Sequence, residues 1–348
     1  MAQRQYPLRM VAWELTRNCN LNCVHCRAAA SKGPYKGELT LSECKNVLDQ
    51  IGDFSSPTII LTGGEPLMRD DIFDIIEYGK EKGLRLVMAI NGTLLTEEKA
   101  VRIKEGGIKR VSLSLDGNNR ESHDAFRRVD GSFDAVMRAA DTLKTIGLPF
   151  QINTTVTRLN VEDLRDLYRL VKEIGAVAWH TFLLVPVGRG KGLKGEELNT
   201  RAYEDVLNWL YDVEKQNEIE LKVTCAPHYY RIVKERGDIP KSAGCLAGKS
   251  FMFISHRGIA QPCGYLELPS GDVRNNGVKK VWEESPVFDQ LRDLASYRGK
   301  CGRCRYLAIC GGCRARAYEV HGDFLHEEPY CSFDATRPYT NSTSFIEQ

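Results

Sequence analysis

The chain has 348 residues, 42% hydrophobic and 27% charged, with a formal net charge of +2. That balance is ordinary for a soluble globular protein and argues against a nucleic-acid-binding face or a polybasic membrane surface. No uncharged apolar run nears the ~18 residues of a spanning helix, and Glu14 interrupts the short N-terminal apolar stretch, so neither a membrane span nor a signal peptide is expected.

The length suggests one large α/β domain plus a smaller one. Twelve cysteines without a signal peptide imply a reducing, cytoplasmic compartment and metal rather than disulfides. Three lie at 19–26, Cys44 stands apart, none occurs from 45 to 224, and eight fall between 225 and 331.

The first predicted strand, Met10–Leu15, runs into Cys19-Asn-Leu-Asn-Cys23-Val-His25-Cys26. Three thiolates at this spacing can hold three irons of a [4Fe–4S] cube and leave the fourth iron open for chemistry. A zinc knuckle would need a fourth ligand, and His25 would have to fold back on its own loop to supply it. Cys44 shares the apolar side of a helix with Leu41 and Leu48, which places it in the core.

The capping box Thr40-Leu-Ser-Glu43 opens that helix. Strands are predicted at Thr58–Leu61, Leu84–Ile90, Arg110–Leu115, Phe150–Val156 and Trp179–Val185. Among the helices between them, one starts at Thr96 and ends near Glu105, and one starts at Asn160 with Asp163 and ends near Glu173. Gly83, Gly106, Gly147 and Gly175 stand where helices stop. Alternating β and α units imply a parallel sheet with right-handed crossovers, open or closed into a barrel.

Such folds place ligands beyond the carboxyl ends of their strands. Gly63-Gly64-Glu65 follows the second strand, where two glycines permit close backbone approach and the carboxylate can accept from an ammonium. Asn91 ends the third. Ser114 and Asp116 end the fourth on one face, followed by Arg127 and Arg128. Asn153 lies in the fifth, and Leu184-Val-Pro-Val-Gly-Arg189-Gly190 follows the sixth. Beyond a helix at about Arg201–Gln216 come Cys225, Cys245-x12-Gly258-x4-Cys263, a helical stretch with Val281-Trp282, Cys301-x2-Cys304-x5-Cys310-x2-Cys313, and Cys331. Taken alone, C-x2-C pairs serve zinc ribbons as well as iron–sulfur clusters.

The N-terminal motif with Gly63-Gly64-Glu65 resembles the radical SAM superfamily, and the C-terminal cysteines resemble its SPASM extension. The resemblance implies an α/β fold with a partial (β/α)6 barrel over 1–200, a linking helical region over 201–240 and an auxiliary iron–sulfur domain over 241–348. It implies that Cys19, Cys23 and Cys26 hold a [4Fe–4S] cluster chelated by S-adenosylmethionine, and that Gly63, Gly64 and Glu65 bind the amino group of that cofactor. Asn91, Ser114 and Asp116 would contact it, Arg127 (or Arg128) would meet its carboxylate, and the backbone around Leu184 would bracket the adenine. His25 stands where the family usually has an aromatic residue, so its protonation becomes a variable. One or two auxiliary [4Fe–4S] clusters are implied. Cys301, Cys304, Cys310 and Cys331 would hold the outer one and Cys245, Cys263 and Cys313 the inner. Cys225 is the candidate fourth inner ligand, with His228 or an open iron as alternatives. The family spacing before the sixth cysteine is x3, and here it is x2.

A closer resemblance joins both ends of the chain. Val-Ala-Trp13-Glu-Leu-Thr-Arg17-Asn-Cys19, Cys26-Arg27-Ala-Ala, Cys310-Gly-Gly-Cys313-Arg-Ala-Arg316-Ala-Tyr318 and Glu328-Pro-Tyr330-Cys331 are similar to the radical SAM haem synthases of the siroheme-dependent pathway. This implies oxidative decarboxylation of two propionates of Fe-coproporphyrin III to vinyls, giving protohaem, with an external electron donor such as flavodoxin or ferredoxin. Arg189, Arg231, Arg314 and Arg316 are candidate propionate anchors, and His228, Tyr229 and Tyr230 are candidates for lining the porphyrin or ligating its iron. The alternatives are a maturase of peptide or protein side chains, an enzyme of the didecarboxysiroheme or haem d1 branch, and an iron–sulfur electron carrier. A first strand near residue 10 leaves no room for a leader-peptide domain before the barrel, which weighs against the maturase. Gly63-Gly64-Glu65 and Ser114 weigh against a carrier.

Overall fold

The computed structural model describes residues 6–242 and 244–335. Its framework follows from burial of the apolar strands. β1 (Met10–Glu14), β2 (Thr58–Thr62), β3 (Arg85–Ile90), β4 (Val111–Ser114), β5 (Phe150–Val156) and β6 (Ala178–Leu183) lie side by side in chain order, every pair parallel. Val11, Trp13, Ile59, Leu61, Leu113 and Ile152 are wholly buried, as a parallel sheet covered by helices requires.

The crossovers are α1 (Leu41–Phe54), α2 (Ile72–Glu81), α3 (Glu97–Glu105), the pair α4 (Arg120–Arg127) and α5 (Ser132–Thr145), and α6 (Leu164–Glu173). Thr40 and Thr96 cap α1 and α3 with their side chains, and Glu43 completes the capping box, an arrangement worth ~1 kcal/mol per helix. The cap expected at Asn160 is absent: that side chain instead takes the Thr157 N–H and donates to the carbonyls of Asp116 and Thr155, tying the end of β4 to that of β5. After α3 the left-handed position falls on Gly107 (φ +85°), one residue beyond Gly106, whose backbone stays right-handed.

Residues 201–240 hold α7 (Thr200–Gln216) and α8 (Tyr229–Glu235), and between them a strand, β7 (Glu220–Thr224), parallel to β6. Its sequence, Glu-Leu-Lys-Val-Thr, is that of a short charged edge strand, which carries little apolar signal. At the opposite edge β8 (Phe251–Ile254) pairs parallel with β1, and β9 (Ile259–Gln261) and β10 (Gly271–Asp272) continue antiparallel. The order is β10-β9-β8-β1-β2-β3-β4-β5-β6-β7, so β1 and β6 do not meet and the barrel stays open.

Five short helices follow among the described residues: α9 (Val273–Asn276), α10 (Val278–Glu284), α11 (Pro286–Arg292), α12 (Gly299–Gly302) and α13 (Arg314–His321). Trp282 of α10 is buried in the same core as α1 and gives its indole N–H to Tyr6 O at 2.9 Å. Cys44 is also in this core, wholly buried. Among the described residues no helix is long and apolar enough to cross a membrane.

Candidate active site

The three N-terminal cysteines occupy the loop between β1 and α1. Cys19 and Cys23 are buried and Cys26 is half-buried. Each sulfur receives an N–H: Leu21 N to Cys19 at 3.4 Å, Arg127 Nη1 to Cys23 at 3.5 Å, and Ala30 N to Cys26 at 3.4 Å. Such contacts lower the energy of a thiolate.

The two glycines after β2 serve this loop. A Cβ on Gly63 would sit 2.4 Å from Thr16 O, and one on Gly64 2.5 Å from Asn18 O. The Gly64 and Glu65 N–H groups bond to those same carbonyls at 2.7 and 2.8 Å. Their close approach is thus to the backbone of the cysteine loop, where ligand approach was expected. Glu65 is wholly buried, accepting from Leu67 N at 3.0 Å and Asn91 N at 2.7 Å. Burial pushes its carboxyl up to about 7 against those two bonds. Asn91 in turn donates to Asn20 Oδ1 at 2.8 Å, so the end of β3 is tied to the cysteine loop as well.

Asp116 and Arg127 form a buried ion pair, and Asp116 also accepts from Thr155 N at 2.6 Å. Arg127 therefore spans Asp116 and Cys23, and its Nε alone lacks a partner. Arg128, the alternative, is exposed, in the left-handed conformation that ends α4. His25 packs on Phe126 with ring centroids 4.7 Å apart. Burial, then the charges of Arg127 and Arg189, hold its ring neutral, well below the usual histidine range.

Ser114 stands beside Asn153, and Asn153 beside His180. Gln151 donates to Asn153 Oδ1 and contacts His180 Nδ1, both at 2.9 Å. Ser112, Ser114, Gln151, Asn153 and His180 make a polar face on β4–β6, while the alternating Trp179 packs outward on Tyr168 and Trp209. Gln151 and His180 were missed by the sequence reading; their signal is the period-two polarity of Gln-Ile-Asn and Trp-His-Thr.

The segment after β6 departs from expectation. Leu184 has its N–H on Val156 O, and its carbonyl takes Arg316 and Tyr203, so its backbone is occupied. Arg189 braces the cysteine loop through Cys23 O at 2.9 Å and Ala30 O at 2.6 Å. The other arginines put forward as propionate anchors are likewise engaged. Arg231 pairs with Glu204 and Glu235. Arg314 holds the carbonyls of Gly312, Phe324 and His326. Arg316, wholly buried, pairs with Glu328. Tyr229 and Tyr230 are buried in the main core.

The remaining cysteines fall into two groups. Cys225, Cys245, Cys263 and Cys313 lie close enough for charge on one to be felt at the others. Cys301, Cys304, Cys310 and Cys331 line a small cavity with His228, Arg231 and Glu328. Gly311 and Gly312, both left-handed (φ +72° and +59°), turn the chain between Cys310 and Cys313, so that two residues suffice to send them to different groups. Burial raises the thiols of Cys19 to about 12 and of Cys313 and Cys331 to about 11, and those of Cys225 and Cys310 well above the ordinary range. Buried thiols in sets of three, four and four suit thiophilic iron–sulfur centres, which keep their ligands deprotonated. Among the described residues no three such side chains crowd one point as ligands of a single ion do.

Two contacts link the N-terminal loop to the first of these groups. Arg27 reaches from the residue after Cys26 to Glu14 at 2.8 Å and Gly264 O at 3.4 Å, and lies over the Phe253 ring. Glu14 is wholly buried and also holds Arg17 and His256. Burial alone would raise its pKa, but the charges of Arg27 and Arg17 and the His256 bond outweigh it and keep the carboxyl well below the usual range. Burial pushes the Tyr265 hydroxyl up, and Cys225, Cys263 and Cys26 all lie near enough to add to that shift.

Comparison with known proteins agrees with this geometry. Residues 13–171 match the Radical SAM superfamily and residues 245–314 the SPASM iron–sulfur cluster-binding domain. An AdoMet-dependent heme synthase of Nitratidesulfovibrio vulgaris is 49% identical, over 94% of this chain and 93% of its own. An Fe-coproporphyrin III synthase of Methanosarcina barkeri is 30% identical, over 92% and 87%. The crystal structure of Streptococcus suis SuiB bound to S-adenosylmethionine superposes with a TM-score of 0.77 at 18% identity, over 94% of this chain and 78% of that one, a likeness of fold. The chain belongs to the radical SAM superfamily, as a SPASM-bearing enzyme in the family of the AdoMet-dependent haem synthases.

Proposed function

We propose that the enzyme oxidatively decarboxylates two propionates of Fe-coproporphyrin III to vinyl groups, giving protohaem. The observation that carries this reading is 49% identity to a haem synthase along nearly the whole of both chains, against 30% to the Fe-coproporphyrin III synthase. Its cofactors are a radical SAM [4Fe–4S] cluster, S-adenosylmethionine and auxiliary iron–sulfur centres. In the reading Cys19, Cys23 and Cys26 hold the first. Cys225, Cys245, Cys263 and Cys313 hold an inner auxiliary cluster, and Cys301, Cys304, Cys310 and Cys331 an outer one. When bound, these groups supply the 5′-deoxyadenosyl radical that removes a propionate hydrogen and a sink for the electron left when carbon dioxide departs.

The chain's own residues position and shield. Glu65 accepts from the cofactor's amino group, its carboxylate oriented by Asn91 N and Leu67 N. The Asp116–Arg127 pair fixes the wall behind Cys23 and leaves Arg127 Nε for the cofactor carboxylate. Ser114 faces the cofactor, and Asn153 and His180 beside it offer polar groups to the substrate edge. The four arginines braced elsewhere play no part in binding propionates. A cytoplasmic location and reduction by flavodoxin or ferredoxin belong to the same reading.

The test is anaerobic incubation of the reconstituted, reduced protein with S-adenosylmethionine and Fe-coproporphyrin III, read by mass-resolved chromatography. Successive losses of two hydrogens plus carbon dioxide, with 5′-deoxyadenosine formed, are expected. Deoxyadenosine with unchanged porphyrin would discard the substrate and return peptide modification to the front.

A further inference from the structure

His228 lies between β7 and α8, 1% exposed, with neither ring nitrogen hydrogen-bonded. In either charge state an imidazole carries at least one N–H. His228 borders the cavity lined by Cys301, Cys304, Cys310 and Cys331. The acceptors around it are committed elsewhere. The Glu328 oxygens take Arg316 and the N–H groups of Cys313 and Tyr330. Tyr203, its ring 5.7 Å from that of His228, gives its hydroxyl to Leu184 O. Arg231 is held by Glu204 and Glu235. Native interiors seldom keep a buried N–H without an acceptor. The acceptor left to this ring is whatever fills the cavity.

We propose that His228 donates its ring N–H to a sulfur of the cluster held by Cys301, Cys304, Cys310 and Cys331, and so sets the potential of the outer auxiliary cluster relative to the inner one. The proposal rests on the assignment of those four thiols made above. A hydrogen bond to sulfur stabilises the reduced cluster, which carries one more negative charge, and raises its potential. His228 is in this sense a positioning residue acting through the cluster. An outer cluster that accepts an electron more readily than the inner one would draw the electron away from the substrate cavity.

The experiment is an EPR-monitored redox titration of the reconstituted full-length enzyme without substrate. Auxiliary signals are those that S-adenosylmethionine leaves unchanged. His228→Leu is expected to make reduction of one auxiliary cluster about tenfold less favourable, ~59 mV for one electron, with the other wave unmoved. His228→Gln, which keeps an N–H, should recover most of that shift. Full iron content with both waves unmoved in His228→Leu overturns the proposal. Should the leucine variant fail to fold, pulsed EPR of the wild-type enzyme labelled with ¹⁵N-histidine decides. A weak nitrogen coupling to one auxiliary cluster is expected, and either no coupling or the strong coupling of a direct iron ligand overturns it. Cys304→Ala separates the two layers. Unchanged iron and waves there would remove the four-thiol assignment and the proposal with it, whereas iron loss there with an unmoved wave in His228→Leu would remove the histidine's role alone.

Discussion

The two cysteine-rich regions are built on opposite plans. In the N-terminal one, three cysteines fall within eight consecutive residues, and the regular β/α scaffold grips their loop: Gly63 to Glu65 after β2, Asn91 after β3, Arg127 at the end of α4 and Arg189 after β6. In the C-terminal region the thiols come from a stretch running from Cys225 to Cys331, carried mostly by irregular chain. There buried arginines replace strand ends as struts, Arg314 on three carbonyls and Arg316 on Glu328, Leu183 and Leu184. The first site uses local spacing with tertiary support. The second exists only once the chain has folded.

That contrast can be broken most directly at the thiols. Cys23→Ala should abolish 5′-deoxyadenosine formation, a loss of at least about 10³-fold, and remove one cluster's share of iron. Cys304→Ala should remove a similar share of iron and leave abortive deoxyadenosine formation largely intact. Iron analysis beside a deoxyadenosine assay checks both, and loss of all clusters in either variant would unite the two regions.

Next in size is the strut. Arg316→Met leaves Glu328 buried without its cation, which costs about 3–5 kcal/mol. Anaerobic denaturant unfolding should register that loss. Auxiliary iron should fall before iron at the N-terminal site does, since only the dispersed ligands need this strut.

A pH dependence sharpens the N-terminal side. Burial raises Glu65 to about 7, so the free enzyme carries a neutral carboxyl below that pH, and the fold loses stability as pH rises from about 4.5 to 7, the loss being complete above about 7. The cofactor's amino group needs the carboxylate as its acceptor. Affinity for S-adenosylmethionine should fall at least about tenfold per unit as pH drops below about 7. Equilibrium binding across that range tests it, with Glu65→Gln expected to flatten the acid limb.

The smallest effects belong to residues outside both sites. Cys44→Ala should leave iron content unchanged and cost about 1 kcal/mol of stability through a small cavity. Arg128→Ala should change cofactor affinity by less than twofold and stability by less than about 0.5 kcal/mol, whereas Arg127→Ala should weaken cofactor binding and strip Cys23 of its N–H partner.

The parallel scaffold, the capped starts of α1 and α3, the cysteine loop after β1 and the core position of Cys44 could all be read from residues near one another in the chain. Periodicity, caps and ligand spacing are local properties, and a parallel sheet places strand ends and their loops on one rim whatever the details. Tertiary structure alone decided the rest. It turned Gly63 and Gly64 toward the cysteine loop. It bound Arg189, Arg231, Arg314 and Arg316 into struts although their sequence context resembled that of anion anchors. It opened the sheet to β7 and β8 and brought His228 to the cavity lined by Cys301, Cys304, Cys310 and Cys331. Those outcomes depend on which buried charge meets which carbonyl or carboxylate across more than a hundred residues, and the cost of leaving any such group unpaired in the interior makes those pairings selective.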